Sequence, residues 1–118
     1  MIRVSVILSS EGVIAGLVAE GHAGMALKGF DIVCSAFTVL LRTFARIVEA
    51  APGVVWAVPG DDPGRFQMVI SGVSPELATS YRGWCEFLLR GLEDLRGDAP
   101  GAIHIEYGSD SGRLFHGS

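Results

Sequence analysis

One change of rhythm governs what this chain can fold into. Apolar residues recur at every second position up to Gly21, and at every third or fourth position after Asp31. Ile2, Val4, Val6 and Leu8 alternate with Arg3 and Ser5, the period of a half-buried strand. Ser9 to Gly12 supplies turn chemistry, and Val13 to Gly21 continues as a second strand, the hairpin partner of the first. Gly16 and Gly21 point to a bend or a close backbone approach near the end of that strand. Beyond Asp31, the residues Phe37, Leu40, Leu41, Phe44, Ile47, Val48 and Ala51 share one helical face until Pro52-Gly53 stops the run. Asp31 suits the N-cap of this helix, since its carboxylate can accept from amides two and three residues on.

The same alternation of periods then repeats. Val54 to Val58 is a short apolar strand, and Pro59 to Gly64 is a dense turn cluster. Arg65 to Ser71 follows with Phe66, Met68 and Ile70 on one face, completing a second hairpin. Ser74-Pro75-Glu76 opens a second helix with a capping hydroxyl, a proline in the first turn and an acid favoured by the dipole. That helix extends to about Arg96, with Leu77, Tyr81, Trp84, Cys85, Leu88, Leu92 and Leu95 inward. Ile103, Ile105 and Tyr107 alternate with His104 and Glu106 in a closing strand. The 118 residues are short for more than one domain. Residues 1–107 form it, and the small, polar, aperiodic stretch 108–118 reads as a disordered tail. The order ββαββαβ predicts an α+β fold. Its architecture is a two-layer sandwich: a mostly antiparallel sheet with both helices on one face.

Charge and composition remove several function classes. The formal net charge is −4, and of nine basic residues only Lys28 is a lysine, with no basic stripe to neutralise phosphates. Direct nucleic-acid binding is therefore not expected, whereas a basic protein partner suits an acidic surface. The N-terminal alternation reaches Ser9, Ser10 and Glu11 too soon for a secretory signal, and no apolar run approaches bilayer length. Two cysteines make no disulfide framework. The expectation is a soluble cytoplasmic protein with reduced thiols and no membrane association. No cofactor is implied: the glycines lack the lysine-hydroxyl pair of a phosphate loop. No metal is implied either, because His22, Asp31 and Cys34 lack a further ligand at zinc-site spacing.

The stretch that the strands and helices flank lies between the two rhythms. It begins at Gly21 and His22, passes Ala23, Gly24 and Gly29, and reaches Asp31 and Cys34. Twelve positions separate His22 from Cys34, and a loop of that length can bring its ends together at modest entropic cost. A thiol is a nucleophile as thiolate, and the first turn of a helix offers unpaired amides and a positive dipole end to stabilise one. A histidine within reach can take the proton and return it to a leaving group, and the same amides can receive an oxyanion. Asp31 could orient the imidazole or cap the helix. Against this, cysteine is among the most buried residue types, and Cys34 beside Val33 could be core. Cys85, flanked by Trp84 on an inward face, reads as core packing, and His104 and His116 have no assigned role.

Gly21-His22-Ala23, then Gly29, Asp31-Ile32-Val33-Cys34 and the following Ser35-Ala36, resemble the signature of the ribosomal-processing cysteine protease family, the Prp-type proteins. The resemblance implies Cys34 as nucleophile, His22 as its base and Asp31 in support. It also implies a mobile loop at Gly21, Ala23, Gly24 and Gly29 that closes over substrate, as glycines permit. The implied reaction removes the N-terminal extension of a large-subunit ribosomal protein after a short apolar, phenylalanine-rich stretch, and the implied assembly is a homodimer. Thr38 stands where family members often carry a serine; the hydroxyl survives with an added methyl. Two other readings remain beside this one. A non-catalytic ribosome-assembly or binding module would hold Cys34 as packed core, and a thiol switch would oxidise it or pair it across a dimer.

Overall fold

A computed structural model describes residues 1–21, 30–60 and 64–110, excluding the side chains of Phe30 and Asp31. The elements run β1 (Ile2–Leu8), β2 (Ile14–Glu20), α1 (Phe30–Ala50), β3 (Val54–Ala57) and β4 (Arg65–Val73). A 3-10 turn (Pro75–Leu77), α2 (Ala78–Asp98) and β5 (Ile103–Ser109) complete them. The sheet order is β3-β4-β2-β1-β5, with β1 and β5 parallel and the other three pairings antiparallel. This is the expected α+β sandwich. The two hairpins meet where β2 pairs with β4, placing Leu17 opposite Met68 and Ala19 opposite Phe66.

Alternation decides which sheet face is covered. Ile2, Val4 and Val6 of β1, Leu17 and Ala19 of β2, Met68 and Ile70 of β4 and Ile103 of β5 are all buried. Val33, Phe37, Leu41, Phe44 and Val48 of α1 cover them, together with Tyr81, Cys85, Leu88 and Leu92 of α2. Each large side chain buried in this way contributes roughly 1.5–3 kcal/mol. Arg3, His104 and Glu106 lie on the opposite, open face. The helices approach closely where a Cβ on Gly91 would stand 3.0 Å from Leu40 Cδ2.

Two side chains of α2 close the hydrogen bonds of one strand residue. Tyr81 donates its hydroxyl to the carbonyl oxygen of Ile14 at 2.6 Å, and the Ile14 amide donates to Cys85 Sγ at 3.4 Å. Both groups are needed because the register shifts between Ile7 and Leu8, so that Ile7 faces Gly16 while Leu8 faces Ile14. Ala15 is thereby the extra residue of a bulge, and bulges leave ladder groups unpaired. Cys85 is core, as its position on the helix implied.

The structure moves several boundaries. The second helix does not start at Ser74: that residue makes no side-chain cap bond, a 3-10 turn intervenes, and α2 extends to Asp98. Proline fixes a helical φ without supplying an amide, so the Pro75 turn forms without committing the chain to an α-helix there. Ile47 is exposed, not inward, because the core stripe of α1 is narrower than the apolar spacing and Val33 and Ala45 complete it. The fourth strand runs to Val73. β5 includes Gly108 and Ser109, which pair with Ile7 and Leu8, so the expected tail loses its first residues; residues 111–118 lie outside those described.

Candidate active site

The end of β2 is fixed by a conformation that only glycine adopts readily. Gly21 has φ +90°, and a Cβ there would stand 2.5 Å from the Met1 carbonyl oxygen. The close backbone approach expected near the end of this strand is thus found at Gly21, packed against the N-terminal residue. His22, Ala23, Gly24 and Gly29 follow and lie outside the described residues.

The chain re-enters as α1, which begins at Phe30, so Asp31 falls inside the first turn and not at the cap position; its side chain is outside the described set. Cys34 is the fifth residue of α1. Helical side chains lean toward the N-terminus, so the Cys34 thiol overlies the turn whose amides, those of the first four residues, have no intrahelical acceptor. The positive end of the helix dipole lies there too. Cys34 is half-buried and packs at the margin of the core, whereas Cys85 is 2 % exposed inside it. The thiol of Cys85 is pushed up by burial, an effect that the Ile14 amide and the Tyr81 hydroxyl partly oppose. The two cysteines thus occupy different environments: one inert and enclosed, the other at a helix start and reachable.

A groove lies along α1 from one turn beyond Cys34. At about 100° per residue, Thr38, Leu41, Arg42 and Ala45 fall within a quarter turn of Cys34, and Thr38 sits about 6 Å farther along the axis. With Phe37 and Phe66 they line an apolar groove of about 290 Å³. Arg42 and Arg46 stand at its rim and make no ion pair among the described residues. The inward spacing of α1 accounts for Phe37 and Leu41, and the alternation of β4 for Phe66. Their convergence into one groove was missed from sequence, since it depends on how the helix lies across the sheet. The four-residue spacing from Cys34 to Thr38 was the available signal.

Among the described residues no three His, Cys, Asp or Glu side chains group as metal ligands, and no helix is long and apolar enough to cross a membrane. His22 and Asp31 fall outside the first statement.

Comparison with known proteins bears on this site. A family model described as Cysteine protease Prp matches residues 1–104, a span that includes both His22 and Cys34. The crystal structure of SMU.848 from Streptococcus mutans superposes with TM-score 0.76 at 24 % identity, covering 93 % of this chain and 96 % of that one. A structure of the essential ribosomal processing protease Prp from S. aureus in complex with a substrate peptide gives TM-score 0.74 at 19 % identity. A second, with a covalently linked product peptide, gives 0.73 at 20 % identity. Each of these two alignments covers 91 % of this chain and 99 % of that one. At such identities the likeness establishes a shared fold. Curated proteins give no match.

Proposed function

The chain belongs to the cysteine protease Prp family, and from that membership we propose that it removes the N-terminal extension of a large-subunit ribosomal protein in the cytoplasm. The observation that carries this reading is the half-buried Cys34 near the start of α1, one helical turn before Thr38 and the groove that Thr38 lines. Cys85 is enclosed in the core, whereas Cys34 packs only at its margin, which favours a reactive thiol at Cys34 over the alternative of a non-catalytic module.

In the proposed reaction a ring nitrogen of His22 takes the Cys34 proton, and Sγ adds to the scissile carbonyl carbon. The oxyanion so formed is held by amides of the α1 first turn. Collapse breaks the C–N bond, His22 returns its proton to the departing amine, and water then hydrolyses the thioester to release the leader as a carboxylate. Asp31 supports the imidazole, and the segment with Gly24 and Gly29 closes over the peptide. Apolar leader side chains fill the groove beside Thr38 and Phe66. The S. aureus relative solved with a substrate peptide has the same fold, which supports a peptide substrate here. The active unit is a homodimer.

The test is hydrolysis of the leader-bearing ribosomal protein followed by mass. Loss of one defined N-terminal fragment with the unsubstituted chain, absent with Cys34→Ala and with His22→Ala, is the expected result. Cleavage that persists in Cys34→Ala would remove the thiol from the mechanism.

A further inference from the structure

Helix α1 is apolar on two faces, and only one of them is buried. Ile32, Val39 and Ile47 are 78 %, 50 % and 38 % exposed, although all three are large aliphatic side chains. At about 100° per residue they form one stripe on the side of α1 away from Cys34. On α2, Phe87 is 72 % exposed. Asp94 and Asp98 follow Phe87 on the same helical face, seven and eleven residues on. Ile32, Val39, Asp94 and Asp98 all line a groove of about 740 Å³ between the two helices. Glu86 and Glu93 of α2 are paired with Arg90 and Arg96, whereas among the described residues Asp94 and Asp98 enter no ion pair. Apolar side chains clustered in the open beside unpaired carboxylates mark a partner surface and not a solvated one.

We propose that this inter-helix groove docks a basic, apolar-studded segment of the protein substrate, remote from the bond that is cut. The inference rests on the peptidase reading above and extends it from the scissile bond to the body of the substrate. Charge selects the occupant. A second copy seated on this groove by a two-fold axis would set Asp94 and Asp98 against their own counterparts, while a lysine- and arginine-rich segment meets opposite charge. Apolar positions within that segment cover Ile32 and Val39. Geometry sets its position: α1 is about 10 Å across, and an extended chain advances about 3.3 Å per residue. Rounding the helix from Cys34 to Ile32 therefore takes about four to six residues, so a short peptide that spans only the cleavage site does not reach the groove.

The experiment compares the unsubstituted chain with Asp94→Lys/Asp98→Lys, both positions being exposed. Two substrates are used: the whole leader-bearing ribosomal protein and a peptide of about six residues, about three on each side of the bond. Binding of the whole protein to Cys34→Ala, with and without the two lysines, is measured in parallel by anisotropy. The expected result is about a tenfold loss in kcat/KM for the whole protein, carried by KM, with the short peptide unaffected. Binding to the Cys34→Ala form weakens by the same factor and falls with added salt. Equal loss on both substrates, or no loss on either, overturns the inference. If the unsubstituted chain cuts neither substrate, the peptidase reading fails and the binding arm still decides. Affinity for the whole protein that is absent, or indifferent to the two lysines, overturns the docking role. Should Val39→Lys halve the oligomeric mass and leave substrate binding unchanged, the face belongs to a second copy and the inference is wrong.

Discussion

Gly21 and the two cysteines show how single positions define the site. Gly21→Ala must accommodate a Cβ 2.5 Å from the Met1 oxygen at φ +90°. The expected cost is about 1–3 kcal/mol, read from the urea midpoint. Gly21 directly precedes His22 in the chain, so activity should drop further than stability alone explains. Thiol accessibility separates Cys34 from Cys85. Iodoacetamide on the native protein should give one adduct at Cys34, located by peptide mass, while Cys85 reacts only on unfolding, because burial shields its thiol and disfavours its ionisation. Two rapid adducts would mean that Cys85 is not enclosed as described. The difference between these cysteines was partly legible in the sequence: Cys85 lay on an inward stripe beside Trp84, and Cys34 lay beside a glycine-rich turn. What sequence could not supply was Cys34's depth, since that depends on how α1 crosses the sheet.

Among the elements, α2 holds the first hairpin through side chains as well as through packing. Tyr81→Phe keeps the ring but removes the bond to the Ile14 carbonyl. Leaving that buried acceptor unpaired should cost about 1–3 kcal/mol, measured by chemical denaturation. A value near zero would mean that water reaches Ile14. The existence, type and order of all the strands and both long helices followed from periodicity, because each apolar stripe has only one covered face to turn toward. Ends followed less well. Ser74 had the chemistry of a cap, yet Pro75 begins a 3-10 turn first. Gly108 and Ser109 looked aperiodic, and their place in β5 comes from backbone pairing with Ile7 and Leu8, which no side-chain pattern reports. Ile47 shared the apolar spacing of the core and faces outward, as do Ile32 and Val39. A helix with two apolar faces does not disclose from sequence which one its own chain covers.

At the scale of the whole molecule, stability should depend on pH through the link between α2 and β5. Tyr107 donates to Glu93 Oε2 at 2.6 Å, and Glu93 also accepts from Arg96 Nε at 3.0 Å. The Tyr107 bond, then Arg96, holds the Glu93 carboxyl below its ordinary range, while partial burial, then Glu93, pushes Tyr107 up to about 12. For the depressed acid, the stabilisation is present above the ordinary carboxylate range and is lost as pH falls through the folded value. For the raised tyrosine it is complete below about 10 and is lost as pH climbs through about 12. Thermal scans should therefore show Tyr107→Phe shrinking both limbs. Part of the alkaline loss should remain, because burial, ahead of Cys85, also pushes Tyr81 upward. An unchanged profile would mean that this exposed bond does not persist in solution.

The central claim is that Cys34, aided by His22, cuts a leader from a basic ribosomal protein. Its most direct test is time-resolved intact mass of that protein with the unsubstituted chain, with Cys34→Ala and with His22→Ala, each shown folded by its thermal transition. Release of a single N-terminal fragment and a transient covalent adduct on Cys34 are expected, with neither product from the two variants. A folded, unsubstituted chain that leaves the leader intact, or a Cys34→Ala chain that still removes it, would contradict the account.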